Sequence, residues 1–173
     1  MKELDVKKAF ANYTKPEHPV LLISGRIGDE VNIMPAGWVM RSSFDPPIMV
    51  VSVGHTRHTH ALLKKYDGFI LSYPVRGQED IISYCGSHSG REVEKFSKKN
   101  IPRVLSRKLR LPLVEGCRVS FECRKTGEFE TGDHTVFAGE VLAASGNPDK
   151  LPLLNAGNSV FSEFGLSGEI RPD

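Results

Sequence analysis

A mainly β fold, a barrel or sandwich of largely antiparallel strands with helices at its periphery, is what this 173-residue sequence predicts. Three observations carry that reading. Short runs rich in Val, Ile, Leu and Phe, bounded by Gly and Pro, fill the first third and the last half of the chain. The main helical patterning lies in an insert between positions 59 and 99. The second half lacks the regular strand–helix alternation that a doubly wound parallel sheet needs. The length fits one domain, 1–173, with core strands over about 19–145 and a C-terminal arm over 146–173. A chain of this size buries roughly 70% of its unfolded surface, enough to fold without staples.

The elements follow in order. Val6, Phe10 and Tyr13 fall at helical spacing near the start. Pro19–Ser24 is a strand closed by Gly25, and a hairpin turn through Gly25–Glu30 returns the chain. Val31–Met34 and Gly37–Met40 read as one second strand bent near Pro35. Pro47–Val53 is almost continuously apolar, which predicts a third strand buried on both faces. Thr59–Tyr66 is a helix stopped by Gly68, and Phe69–Tyr73 returns to strand before Pro74. Two short helices follow, Glu79–Cys85 and Ser89–Lys99, divided by Gly86; Ser89 and Glu92 have the spacing of a capping box for the second. In Arg118–Lys125, Val119, Phe121 and Cys123 face one side while Ser120, Glu122 and Arg124 face the other. His134–Ala143 is its companion strand, with the turn between Gly127 and Gly132. The tail from Asn155 mixes Gly and Ser with Phe161, Phe164 and Leu166, as an arm laid on the body would.

Composition narrows the function. Lys and Arg total 23 against 21 Asp and Glu, with no block of like charge, so neither nucleic acid nor another polyelectrolyte is an expected partner. The amino terminus, MKELDVKKAF, has no apolar segment of the signal-peptide type, and the longest apolar runs are far shorter than a membrane span. Three cysteines do not make a disulfide framework. The expectation is a soluble, cytoplasmic protein with no membrane partner.

Four segments could carry chemistry. His55–Thr59 follows the third strand and opens a helix, setting Arg57 and the Thr59 hydroxyl beside free N-terminal N–H groups, with Ser52 and Val53 just before them. Ser87, Ser89, Gly90 and Arg91 repeat that arrangement, with Cys85 before them and Lys95 a turn beyond. Both have the chemistry of a phosphate clasp, although neither is a Walker loop or a dinucleotide fingerprint. In Asn32–Trp38, the small residues Ala36 and Gly37 let backbone approach a planar ligand; Asn32 offers a hydrogen bond, and Met34 and Trp38 offer apolar contact. Asp133-His134 delivers an imidazole off a glycine turn onto the head of a strand, which makes His134 the catalytic candidate. Each segment also has a plain structural use: Ser89 as a cap, Arg57 as a solvated surface residue, Trp38 as core, His134 bonded to backbone. His55, His58 and His60 crowd together, but no HExxH or CxxC accompanies them, so no metal site is assigned. A serine hydrolase is disfavoured by the lack of a G-x-S-x-G elbow.

Taken in order, Asn32–Trp38 with Asp45-Pro46-Pro47, Val51–Val53 with Arg57 and Thr59, Ser89-Gly90-Arg91 with Lys95-Phe96, and Gly132-Asp133-His134 with Gly139-Glu140-Val141 resemble the flavin reductase-like family, which includes flavoredoxins. The resemblance implies an antiparallel Greek-key split barrel that binds FMN and works as a homodimer with the flavin near the subunit interface. It implies that the segment Asn32–Trp38 lines the isoalloxazine, that Ser52–Thr59 and Ser87–Arg91 hold the ribityl phosphate, and that His134 lies near the flavin or the nicotinamide. Ala36-Gly37 departs from the family habit of Ser or Thr beside the tryptophan. Two functions compete: an FMN-dependent oxidoreductase fed by NADH or NADPH that passes electrons to a small-molecule acceptor, and a non-enzymatic flavin- or haem-binding module on the same barrel.

Overall fold

A computed structural model describes residues 5–7, 9, 17–157 and 160–163. Eleven strands and three helices are traced below: β1 (Val20–Arg26), β2 (Glu30–Ala36), β3 (Val39–Phe44), β4 (Pro47–Gly54), α1 (His58–Lys65), β5 (Gly68–Tyr73), α2 (Glu79–Ser87), α3 (Lys95–Lys98), β6 (Arg103–Leu105), β7 (Pro112–Val114), β8 (Val119–Thr131), β9 (His134–Gly146), β10 (Leu153–Gly157) and β11 (Val160–Glu163). Seven strands form one antiparallel sheet in the order β2-β1-β5-β8-β9-β4-β3. Its two end strands, β2 and β3, are consecutive in the chain and joined only by Gly37-Trp38. Three Cα steps span at most about 11 Å, so the end of β2 and the start of β3 lie within that distance of one another. β10–β11 and β6–β7 are separate two-stranded ladders. Val6, Lys7 and Ala9 are helical as their spacing predicts, whereas Phe10, Tyr13, Phe164 and Leu166 lie outside the described residues.

The sheet divides the core in two. On one face Leu21, Ile23, Ile33 and Ile70 pack with Ile82 and Cys85 of α2, Phe96 of α3 and Leu113 and Val114 of β7. On the other, Val20, Leu22, Met49, Val51, Val53, Phe69, Leu71 and Phe137 close around Leu63 of α1. β1 serves both clusters, and its first six residues are buried. β5 also serves both, with Ile70 in the first cluster and Phe69 and Leu71 in the second, so the two-faced strands are β1 and β5 and not β4. β4 buries Met49, Val51 and Val53, while Ile48, Val50 and Ser52 stay partly exposed, because no second layer among the described residues covers its outer face.

Three further expectations are corrected. The second strand does not bend at Pro35 but ends at Ala36, and Val39 starts a new strand that pairs with β4 instead of β1. The helix expected over Ser89–Lys99 contracts to Lys95–Lys98. Ser89 caps a turn: its carbonyl accepts from the N–H of Glu92 and Val93, and its hydroxyl from the N–H of Arg91 at 3.2 Å. The helix cap is Glu94, whose carboxylate accepts from Phe96 and Ser97. A carboxylate that reaches two free N–H groups outcompetes a hydroxyl that reaches one. The β8–β9 turn falls at Gly132-Asp133 and not between Gly127 and Gly132: Gly127 pairs with Ala138 inside β8, Thr131 lies opposite His134, and Gly132 has φ +58°, a left-handed conformation suited to glycine.

On β8 the polar residues Ser120 and Glu122 are buried too, while Arg124 is exposed. Glu122 accepts hydrogen bonds from the N–H groups of Arg107, Lys108 and Leu109 at 2.8–2.9 Å, which folds the loop leading to β7. Burial alone would push its carboxyl up, and those bonds together with Ser106 outweigh it, so its pKa lies below the ordinary value.

Candidate functional site

A cleft of about 440 Å³ opens where the sheet's ends meet. Four elements wall it: the β2–β3 corner, the β4–α1 loop, the C-terminal turn of α2 with the loop that follows, and the β8–β9 tip. Asn32, Met34, Ala36, Gly37 and Trp38 contribute from the first; Ser52, Val53, Arg57 and Thr59 from the second; Cys85, Ser87, Ser89, Gly90, Arg91 and Lys95 from the third; His134 from the fourth. All the sequence-predicted site residues thus share one cavity.

The loops are locked together by short-range bonds. Buried Asn32 donates through Nδ2 to the Thr59 hydroxyl at 2.8 Å, joining β2 to the first turn of α1. Arg91 donates through Nη1 to the carbonyl of Thr56 at 3.2 Å, joining the α2–α3 loop to the β4–α1 loop. Gly90 fits against this junction only because it has no side chain. A Cβ there would lie 2.6 Å from Asn32 Cγ and 2.7 Å from His58 Cδ2, well inside contact distance.

One end of the cleft is cationic. Arg57 caps α1 in extended conformation without a side-chain cap bond, is exposed, and has no carboxylate partner among the described residues. The Arg91 guanidinium meets only a carbonyl. Lys95 is 4% exposed and donates to the carbonyls of Ile33 at 2.9 Å and Cys85 at 2.7 Å, so it straps β2 to α2 as well as placing charge in the cleft floor. Burial pulls the Lys95 pKa down. Three cations that no carboxylate among the described residues neutralises, set beside the start of an eight-residue helix with no side-chain cap bond, fit a phosphate dianion.

The other end is nearly neutral. Trp38 lies against His134 with ring centroids 4.5 Å apart and a 33° tilt. His134 Nδ1 is 2.6 Å from Asp133 Oδ1. That hydrogen bond holds the Asp133 carboxyl below the usual range, so Asp133 is an ionised acceptor, and the shared proton resides on Nδ1. Nε2 lies on the Gly54 side: a Cβ added at Gly54 would meet it at 3.4 Å. Neutral His134 therefore presents an acceptor there, and protonated His134 a donor.

The crowded histidines separate. His58 pairs with Glu30 at 2.5 Å, His60 with the Thr135 hydroxyl at 2.8 Å, and His55 with Glu130 at 2.9 Å. Cys85 is buried, and burial pushes its thiol up to about 11, which leaves no thiolate at neutral pH. Gly54, Thr56, His58, Gly86 and His88 also line the cleft, and the sequence reading assigns them no individual role in binding there. Gly54 carried a usable signal, a glycine at a strand end next to a cationic loop. His58 carried none, since Glu30, its partner, is 28 positions away.

Residues 15–163 match the family described as Flavin reductase like domain. An uncharacterized protein of Archaeoglobus fulgidus is 36% identical over 130 residues, which cover 75% of this chain and 72% of that one. The NADH-dependent FAD reductase of Streptomyces globisporus is 30% identical over 131 residues, 75% of this chain and 71% of that one. Among solved structures, the FMN-binding protein of Thermus thermophilus with bound p-hydroxybenzaldehyde matches with a TM-score of 0.83 and 31% identity over 94% of this chain and 95% of that one.

Proposed function

The chain belongs to the flavin reductase-like family, and from that premise we propose that it is an FMN-dependent oxidoreductase that takes reducing equivalents from NADH and hands them to a small-molecule acceptor. The observation that carries the proposal is the polarity of the cleft, cationic at one end and neutral with a carboxylate-held imidazole at the other. Bound FMN would supply the capacity to accept two electrons from a reduced nicotinamide and release them onward. Arg57, Arg91, the Thr59 hydroxyl and the first N–H groups of α1 hold its phosphate, with Lys95 adding charge from below. Ala36 and Gly37 allow backbone to lie close to its ring, and Trp38 screens the mouth from water. His134 holds or releases a proton at Nε2 while Asp133 fixes the tautomer.

Several companions of this reading are proposed with it. The chain acts as a single FMN-binding domain. The curled sheet, with its end strands linked by Gly37-Trp38, is a Greek-key split barrel. Met40 (61% exposed) and Phe44 (82%) on edge strand β3, with Phe129 (70%) near the β8–β9 tip, form the face through which two copies pair beside the cleft. Three free cysteines fit a reducing, cytoplasmic setting.

The deciding measurement is a visible spectrum of purified protein given FMN, taken before and after anaerobic NADH and then NADPH. A yellow protein bleached by NADH is expected. A colourless protein that takes up no added FMN overturns the reading. Bound FMN that neither nucleotide bleaches would assign the chain to the carrier or binding modules.

A further inference from the structure

At the ring end of the cleft a carboxylate stands against the α-carbon of Gly37. A Cβ built on Gly37 would lie 2.8 Å from Glu17 Oε2 and closer still to Oε1 and Cδ, so the carboxylate fills the volume where a side chain at 37 would begin. Backbone conformation does not explain this glycine, because Gly37 lacks the positive φ of Gly25, Gly28 and Gly132. What it provides is room for the carboxylate. Glu17 is itself held in place: its N–H donates to the Asn155 carbonyl at 3.1 Å, and its carbonyl accepts from the Asn155 N–H at 2.8 Å. That pair is an isolated antiparallel bridge, which ties the segment before β1 to β10. Gly37 lines the cleft and Glu17 does not, so the carboxylate stands behind the wall. The wall has little room to retreat from it. The Gly37 carbonyl accepts from the N–H of Val39 at 3.1 Å, and the Trp38 carbonyl from the N–H of Ser52 at 2.9 Å.

We propose that Glu17 is a positioning residue of the flavin site: its carboxylate takes the place of a side chain at 37, and its charge behind the ring wall lowers the reduction potential of the bound flavin. The inference rests on the flavin reading of this cleft and extends it to a residue outside the cavity. Hydride transfer from NADH leaves NAD+ and a flavin with one more negative charge. A carboxylate next to the wall opposes that gain, and opposes it more than it would across bulk water, because backbone and not solvent lies between. The phosphate keeps its charge through the reaction, so the cations at the far end contribute mainly grip. At the ring end, Asp133 is engaged with His134 Nδ1, and Glu17 adds a second carboxylate from the segment before β1. A lowered potential favours passing electrons onward over retaining them.

The test is the midpoint potential of bound FMN, read by anaerobic equilibration against reference dyes in the wild type, Glu17→Gln and Glu17→Asp. Glu17→Gln keeps the shape and removes the charge. It should strengthen binding of reduced relative to oxidised FMN about tenfold, a rise of about 30 mV for a two-electron couple. Glu17→Asp keeps the charge and shortens the side chain, and that ratio should stay within about threefold of the wild type. A purely steric role would order the two variants the other way. A second arm needs no flavin. Gly37→Ala must push the carboxylate aside, so it should lower the urea midpoint of the wild type and lower it far less in a Glu17→Ala background. An unchanged potential in Glu17→Gln, a larger shift in Glu17→Asp than in Glu17→Gln, or an equal cost of Gly37→Ala in both backgrounds would each overturn the proposal. A wild type that binds no FMN would remove the flavin reading and the tuning with it, while the unfolding arm would still report the Glu17–Gly37 contact.

Discussion

The two ends of the cleft are built on opposite principles. Around the phosphate end, charge is abundant and meets no carboxylate among the described residues: Arg57 is exposed, Arg91 is tethered to one carbonyl, and Lys95 is buried on two. Around the ring end, Ala36, Gly37 and Trp38 are neutral, and one imidazole is held by one carboxylate. The difference teaches that grip and chemistry are assigned to different loops, so each should be removable without the other.

The sharpest way to break that division is to remove both guanidinium groups. Each charge-assisted bond is worth about 1.5–3 kcal/mol, so Arg57→Ala with Arg91→Ala should raise the Kd for FMN by about 10²–10⁴. Both residues are exposed, so the melting temperature should hardly change. Calorimetric titration beside a thermal melt reads the two quantities. Undiminished affinity in the double variant would place the phosphate elsewhere.

At the opposite end, His134→Ala should slow NADH-driven turnover about 10²-fold and leave FMN affinity within about twofold. Asp133→Asn should give a smaller loss, about tenfold, because it frees the tautomer without removing the ring. The pH dependence has a definite sign. A carboxyl held below its usual range keeps its charge, and its hold on His134, until pH falls through that lowered value; the Asp133 contribution is therefore complete throughout the neutral range and is lost only in acid. A loss of turnover on the acid side in Asp133→Asn as large as that of the wild type would show that Asp133 does not hold His134 in its working orientation.

Between these extremes lies Gly90→Ala. The added methyl must displace Asn32 or His58, so the Asn32–Thr59 bond that aligns β2 with α1 is the casualty. About tenfold weaker FMN binding and a destabilisation of about 1–3 kcal/mol are expected, read by titration and by urea unfolding. Retention of both would mean that the loop tolerates a side chain and the close approach is incidental.

Much of this was legible because the signals were local. The Pro19–Ser24 run, the Gly132-Asp133 turn and the cationic residues after β4 and α2 can be read from a few neighbouring positions, and they converge on one cavity. What was not legible depends on partners far away. β4 and β1 have similar apolar content, and only the packing of α2, α3 and β7 decides which is covered twice. Lys95 reads as a ligand group; its strap to Ile33 crosses 62 positions. Ser89 and Glu92 carry the spacing of a capping box, yet Glu94, two residues later, holds the N–H groups. The strand break at Ala36 is fixed by which partner each half finds and not by Pro35.

Ionic strength gives the smallest effect and separates the cations from one another. Going from about 0.05 M to 0.5 M salt shortens the screening length from about 14 Å to about 4 Å, which weakens attraction by exposed charges far more than by buried ones. FMN affinity of the wild type should fall by a few-fold over that span. Arg57→Ala should flatten the slope, because the most exposed and least attached cation contributes most of what salt can screen. Lys95, enclosed by two carbonyls, should supply the part that persists at high salt, together with the Thr59 hydroxyl and the N–H groups of α1. If Arg57→Ala left the slope as steep as in the wild type, the exposed guanidinium would not be the screened contact, and the proposed division between an outer salt-sensitive grip and an inner fixed one would fail.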